Sequence, residues 1–233
     1  MAESGFSNAL IVGAGPGLSA SLARLFAREG MRVALAARNA EKLAPLCAAA
    51  GAKAFACDAV DPAAVARLFA AVEEANGAPD VVVYNASARA RGPVAELVPA
   101  EVERALMVSA YGGFLVAREA ARHMLKKGHG AILLTGASAS VKGYPLSAPF
   151  AMGKFALRGL AQSIARELAP QGVHVAHFVI DGAIRNPGRV EPPDKPDSML
   201  DPDAIAAAYL AVLRQPRSAW TWEVELRPWV ERF

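Results

Sequence analysis

ALIVGAGPGLSASLARLF, residues 9–26, decides the fold. Its first five residues, ALIVG at 9–13, are an apolar run of strand length, and an amphipathic helix is predicted from about Gly17 to Glu29. Between them stand glycines at 13, 15 and 17. Such a junction has to turn tightly, let backbone come close to a pyrophosphate, and aim the first helix amides at that anion. Glycine meets the first two needs because it has no Cβ and tolerates positive φ. The spacing departs from the usual G-x-G-x-x-G pattern, since Leu18 and Ser19 stand where a further glycine is expected. The strand before the turn and the helix after it make Gly13, Gly15, Gly17 and Leu18 the candidate phosphate cradle.

The same alternation runs through the chain. Strands are predicted at 31–38, 52–58, 80–86, 129–136, 173–180 and 220–227. Helices are predicted around 40–50, from Asp61-Pro62 to Asn76, over 100–127 with a bend near Gly112-Gly113, over 147–169, and from Asp201-Pro202 to Arg214. Each Asp-Pro pair offers an N-cap carboxylate followed by proline at the first helical position. Strand–helix alternation with apolar strands implies an α/β fold, a parallel sheet covered by helices on both faces. One domain over 1–233 accounts for the length. RNPGRVEPPDKPDS, 185–198, breaks the pattern and reads as a lid-like loop at about 185–200, because it follows a strand's carboxyl end.

Composition excludes several classes. A hydrophobic share of 54% supports a buried core and argues against disorder. The net charge of +3 comes without any basic block interleaved with aromatics, so nucleic acid is not an expected partner. No apolar run reaches membrane-spanning length and no signal-peptide pattern opens the chain, so a cytoplasmic protein without a membrane partner is expected. Cys47 and Cys57 cannot build a disulfide framework and are expected as free thiols. His174 and His177 are separated by an odd number of positions on one strand, so they face opposite ways and no metal site is expected. His123 and His129 read as surface positions, and the tryptophans and final phenylalanine of SAWTWEVELRPWVERF as packing residues.

Ala37 follows the second strand where a carboxylate would hold the ribose hydroxyls of NAD, and Arg38 stands next to it. A carboxylate would repel a 2′-phosphate, whereas a guanidinium binds one bidentately, which favours NADP(H) with NAD(H) possible. Asp58, ending the third strand, offers an acceptor for an adenine amino group or a cap for the next helix. Asn85, ending the fourth, offers an amide to brace the sheet or the ribose.

Together the glycine turn, the Asp58 junction, YNAS at 84–87, GAILLTGASAS at 130–140, the Lys154 helix and IDGAI at 180–184 resemble the short-chain dehydrogenase/reductase family in order and spacing. The resemblance runs from about residue 7 to 215. It implies a Rossmann-like, doubly wound parallel sheet of about seven strands, a nicotinamide cofactor, and a homodimer or homotetramer packed through the helices at 100–127 and 147–169. It also implies that Ile184 meets the carboxamide and that Lys154 bonds the nicotinamide ribose.

The expected chemistry departs from the family's. Phe150 falls on the family's tyrosine, Ala137 on its serine and Ser109 on its asparagine; of that set Lys154 alone remains. Phenylalanine neither donates nor accepts a proton, and general acid catalysis is typically worth about 10²–10⁴-fold. A poor ketoreductase is therefore expected. If the chain is an enzyme acting on a small molecule, hydride transfer to an activated C=C or C=N bond suits it better, since less charge builds on oxygen. The other reading is a non-catalytic NADP(H)-binding sensor or assembly subunit. Tyr144 and Ser147, in the loop before the helix, are candidate replacement acids; Ser138 is expected to turn away by strand alternation, and Tyr84 and Tyr111 to pack. Asp181, in place of a proline, offers a base, a deterrent to anions, or a bond to the lid backbone.

Overall fold

The computed structural model describes residues 5–231, so the final phenylalanine lies outside the described residues. Seven strands form one parallel sheet: β1 (Asn8–Val12), β2 (Arg32–Ala37), β3 (Lys53–Ala56), β4 (Val81–Tyr84), β5 (Gly130–Thr135), β6 (Val173–Ile180) and β7 (Glu223–Leu226), in the order β3-β2-β1-β4-β5-β6-β7. The chain runs outward from β1 to β3, then returns to β4 on the other side of β1. That reversal opens a crevice at the carboxyl ends of β1 and β4, where sheets of this kind bind ligands.

Period-two side-chain alternation divides the core between the faces. Ala9 and Ile11 of β1 and Ala131 and Leu133 of β5 pack beneath α1 (Leu18–Arg28) and α7 (Pro202–Leu213). Leu10, Val12, Ile132 and Leu134 pack beneath α3 (Pro62–Asn76), α5 (Gly112–Lys127) and α6 (Ala148–Leu168). All eight are almost fully buried, and each large aliphatic among them stabilises the fold by about 1.5–3 kcal/mol. The short α2 (Ala44–Ala50) and α4 (Pro99–Leu106) complete the layers.

Both Asp-Pro caps form. Asp61 Oδ1 accepts from Ala63 N at 2.8 Å, and Asp201 Oδ1 from Asp203 N at 2.8 Å. The bend expected near Gly112-Gly113 lies one step earlier: α4 and α5 are joined through a π-helical turn, Met107–Tyr111. The glycines serve packing instead, since a Cβ on Gly112 would meet the Tyr84 hydroxyl at 2.4 Å. The last strand is confined to Glu223–Leu226, because Trp220 caps the turn before it with its indole N–H on Gln215 O. His123 and His129 are half-buried rather than at the surface, stacked on Phe69 and Phe6. Of the tryptophans, Trp220 stacks on His174 and Trp222 lies against Arg158, while Trp229 is exposed. Tyr84 is buried with its hydroxyl on Val108 O, whereas Tyr111 is partly exposed.

Among the described residues no helix is long and apolar enough to cross a membrane, and Cys47 and Cys57 are free thiols.

Candidate active site

A cavity of about 1030 Å³ occupies the crevice, lined by Gly13, Gly15, Arg38, Asp58 and Asn85 among others. A second hollow of about 350 Å³ adjoins it at Arg38 and Asp58 and is also lined by Glu103 and Arg104 of α4. Sequence reasoning missed Arg104, since α4 is far from Arg38 along the chain.

The glycines of the turn have separate jobs. Gly13 has φ +85°, and a Cβ there would lie 2.3 Å from Ala86 N. Gly15 would meet nothing within 4 Å, so its missing side chain leaves space to the cavity. Gly17 precedes α1 without a side-chain cap, leaving first-turn amides without a side-chain acceptor at the helix N-terminus. Gly17 and Leu18 are not in the cavity wall. Asn186, from the segment after β6, lies over Gly17, 3.6 Å from where its Cβ would be. That segment is folded back on itself by the Asn186–Arg189 bridge and tied down by the Ile184–Leu200 bridge.

Ser19 does more than stand in for a glycine. Buried, it donates to Gly13 O at 3.3 Å and accepts from Asn85 Nδ2 at 2.8 Å, joining the turn to the end of β4. Asn85 thus braces the sheet with its amide N–H₂ while still lining the cavity. Asp58 does not cap α3, a task that falls to Asp61; its carboxylate accepts from Val60 N at 3.3 Å and borders both hollows.

Lys154 and Ile184 lie outside the cavity wall. Lys154 is buried on α6, its Nζ donating to Thr135 O at 2.7 Å and standing 5.9 Å from the Phe150 ring centroid. Burial, helped by the charge of Arg89, lowers its pKa to about 7. Arg89 stacks on Phe150, its guanidinium carbon 4.0 Å from the ring centroid. Ser109 lies in the π turn, with its hydroxyl bonded to both N and O of Ala88. Gly153 of α6 admits it closely, since a Cβ there would meet Ser109 Cβ at 2.7 Å.

Residues 138–140 form a 3-10 turn, so the strand alternation expected for Ser138 does not apply. Ser140 is buried; it accepts from Ala137 N at 3.2 Å and bonds His177 Nε2 at 3.2 Å. His177 Nδ1 meets Glu223 at 3.0 Å, and Arg158 clasps that carboxylate at 2.7 and 2.8 Å. The network is satisfied by a neutral imidazole carrying its proton on Nδ1. Burial, with Lys154 and Arg158 adding to it against the pull of Glu223, holds His177 down at a pKa of about 4. Ser140 and His177 are sealed from solvent, so this serine–histidine–carboxylate chain braces the turn carrying Ala137 and offers no exposed nucleophile. Asp181 is ion-paired with Lys142 at 3.2 Å rather than bonded to the lid backbone. Tyr144 is exposed, with the Lys142 ammonium 5.7 Å from its ring centroid. His174 bonds Thr221 O at 2.8 Å. Among the described residues no group of three or more His, Cys, Asp and Glu side chains is placed to hold a metal ion.

The profile of the short chain dehydrogenase family matches residues 7–188. The chain belongs to that family. It is 34% identical over 183 residues to versicolorin reductase stcU of Emericella nidulans, covering 76% of this chain and 69% of the relative. Against D-threitol dehydrogenase of Mycolicibacterium smegmatis it is 30% identical over 172 residues, 72% of this chain and 66% of the relative. The aligned part thus spans about two thirds of the length of these curated relatives. Among solved structures, a short-chain dehydrogenase from Rhodopseudomonas palustris superposes with a TM-score of 0.82 at 38% identity, covering 96% of this chain and 99% of that one. An alcohol dehydrogenase from Thermococcus sibiricus, complexed with 5-hydroxy-NADP, superposes at 0.85 with 26% identity, covering 97% and 98%. Family membership carries with it an oxidoreductase fold built for a nicotinamide cofactor.

Proposed function

We propose that the chain is an NADP(H)-binding oxidoreductase of one domain whose reacting end departs from the family pattern at Phe150, Ala137 and Ser109. The observation that carries the reading is the cradle at the β1–α1 turn, with Arg38 facing the same cavity. The residues fit the cofactor: Gly13 permits the close turn, Gly15 leaves room, α1 presents its amides, and Asn85, Asp58 and Arg38 line the path away from the cradle. Arg38 and Arg104 border the hollow suited to a 2′-phosphate. Lys154 uses one of its donors on Thr135 O, and its others are available to ribose hydroxyls. Ile184 is the backbone position for the carboxamide, and the segment at 185–200 is the lid. The helices α4–α5 and α6 are the proposed surface for a homodimer or homotetramer; α6 exposes Met152 and Phe155, and α5 Phe114.

When bound, the nicotinamide supplies or accepts hydride. The chain's own residues decide how a proton can accompany it. Phe150 presents hydrocarbon where a proton donor is needed, and Ala137 presents a methyl in place of a hydroxyl. Lys154, with its pKa near neutral, stands 5.9 Å from the centroid of that ring. A substrate bond whose reduction places little charge on oxygen, such as an activated C=C or C=N bond, makes the least demand on such a site.

Two experiments test the reading. Arg38→Ala is expected to weaken NADPH binding roughly ten- to a hundredfold while leaving NADH within about twofold, measured by calorimetry. Equal losses for the two coenzymes count against Arg38 as the 2′-phosphate ligand. The double variant Phe150→Tyr with Ala137→Ser is expected to gain ketoreductase turnover from near background. A double variant that binds NADPH tightly yet reduces no ketone favours a sensor or assembly subunit.

A further inference from the structure

We propose that His177, together with Glu223 and Arg158, is a positioning residue for the nicotinamide half of the coenzyme and acts through Lys154. This rests on the reading above that Lys154 bonds the nicotinamide ribose. Lys154 donates to the carbonyl of Thr135, the last residue of β5, so the place of its ammonium depends on the place of that carbonyl. Gly136 comes next, and the imidazole fills the space its side chain would take. A Cβ there would stand 2.2 Å from His177 Nε2 and 2.8 Å from Phe178 O. Gly136 N donates to Phe178 O at 2.8 Å, and beyond it Ser140 ties Ala137 N to His177 Nε2. One buried ring thus backs the whole stretch from Thr135 to Ser140.

The other edge of His177 leads back to the same lysine. Its Nδ1 shares Glu223 Oε2 with Arg158 Nε, at 3.0 and 2.7 Å, and Arg158 Nη2 takes Oε1 at 2.8 Å. Arg158 stands one turn after Lys154 on α6, where side chains four apart are neighbours. The contacts therefore close into a ring. It runs from Lys154 to Thr135, through Gly136 to His177, on to Glu223 and Arg158, and back along α6. A bidentate guanidinium–carboxylate pair fixes direction as well as distance, and a buried network with every member bonded specifies one arrangement. Helix α6 and the end of β5 are held in register by it, and the ammonium with them.

Stability alone asks for less. His177 has no exposed surface, and an apolar side chain in such a place packs without partners to satisfy. The role needs no proton to move, since the neutral imidazole already satisfies both neighbours.

The test is calorimetric titration of NADPH and, separately, of adenosine 2′,5′-bisphosphate, the adenosine half of that coenzyme without the nicotinamide ribose. His177→Phe is expected to weaken NADPH about ten- to a hundredfold and to leave the bisphosphate within about twofold. His177→Gln, which keeps a polar atom for Ser140, should fall between wild type and His177→Phe. Glu223→Gln, which keeps shape but not charge, should weaken NADPH about three- to tenfold, and it decides the matter if His177→Phe does not fold. Lys154→Met should show the same split between the ligands, and adding His177→Phe to it should cost nothing further. Equal losses for both ligands, unchanged NADPH affinity in the His177 and Glu223 variants, or losses that add in the double variant overturn the proposal. If NADPH fails to bind the wild type, or binds Lys154→Met undiminished, the cofactor reading itself falls and takes the proposal with it.

Discussion

Gly13→Ala is expected to unfold at markedly lower urea than the wild type, with a loss of about 3 kcal/mol or more. Two independent penalties add. The residue has φ +85°, where a side chain is strained by roughly 1–2 kcal/mol. Its Cβ would also lie 2.3 Å from Ala86 N and 2.6 Å from Ala86 Cα, and these are backbone atoms. They cannot give way easily, because Asn85 N is bonded to Val12 O at 2.8 Å and the Asn85 side chain to Ser19. Gly15→Ala is the informative companion. Its Cβ meets no protein atom within 4 Å, so stability should stay within about 0.5 kcal/mol of wild type while coenzyme binding weakens. Denaturation and calorimetry on the two variants thus separate a glycine required by the protein's own packing from one required by what the cavity holds. A Gly13→Ala protein as stable as wild type contradicts the turn geometry.

Lys154→Met is expected to make the coenzyme-free protein more stable at pH 6, on the order of 2–4 kcal/mol, while weakening coenzyme binding. Burial lowers the folded-state pKa of this lysine to about 7, from 10.5 in the unfolded chain. Between those values the unfolded state holds more protons than the folded one, so the lysine's contribution to stability rises with pH. Below pH 7 the cost of a charged, buried ammonium is present in full; toward pH 10.5 it fades. The advantage of the variant should therefore shrink across that window, less a constant loss for the bond to Thr135 O, which methionine cannot make. Urea midpoints at several pH values measure it. A variant less stable than wild type at pH 6, with no dependence on pH, means that Lys154 serves the fold alone.

Much of the architecture is legible because it rests on local chemistry. Asp61-Pro62 and Asp201-Pro202 announce their helices through a carboxylate and a ring that act within a few residues, and both caps form as expected. The apolar runs of β1, β4, β5 and β6 need only burial on two faces to become parallel strands. What escapes the sequence depends on residues far apart. A glycine pair is the local signal for a bend before α5, but the π turn sits where Ser109 has to reach Ala88, and the glycines serve the approach of Tyr84 and Leu157. Ser140 gains its partners only once β5, β6 and β7 lie side by side. Arg104 joins Arg38 across a hollow that no local pattern encodes. Arg89 follows YNASA with no signal beyond its charge, and becomes notable only when the loop lays it over Phe150.

The proposed function stands or falls on a crevice that grips a nicotinamide dinucleotide by its phosphates, with Arg38 reading the 2′-phosphate. Calorimetry of the wild-type chain against NADPH and NADH tests it most directly. Saturable binding of both, at least about tenfold tighter for NADPH, is the predicted result. No heat with either coenzyme, or a clear preference for NADH, would contradict it.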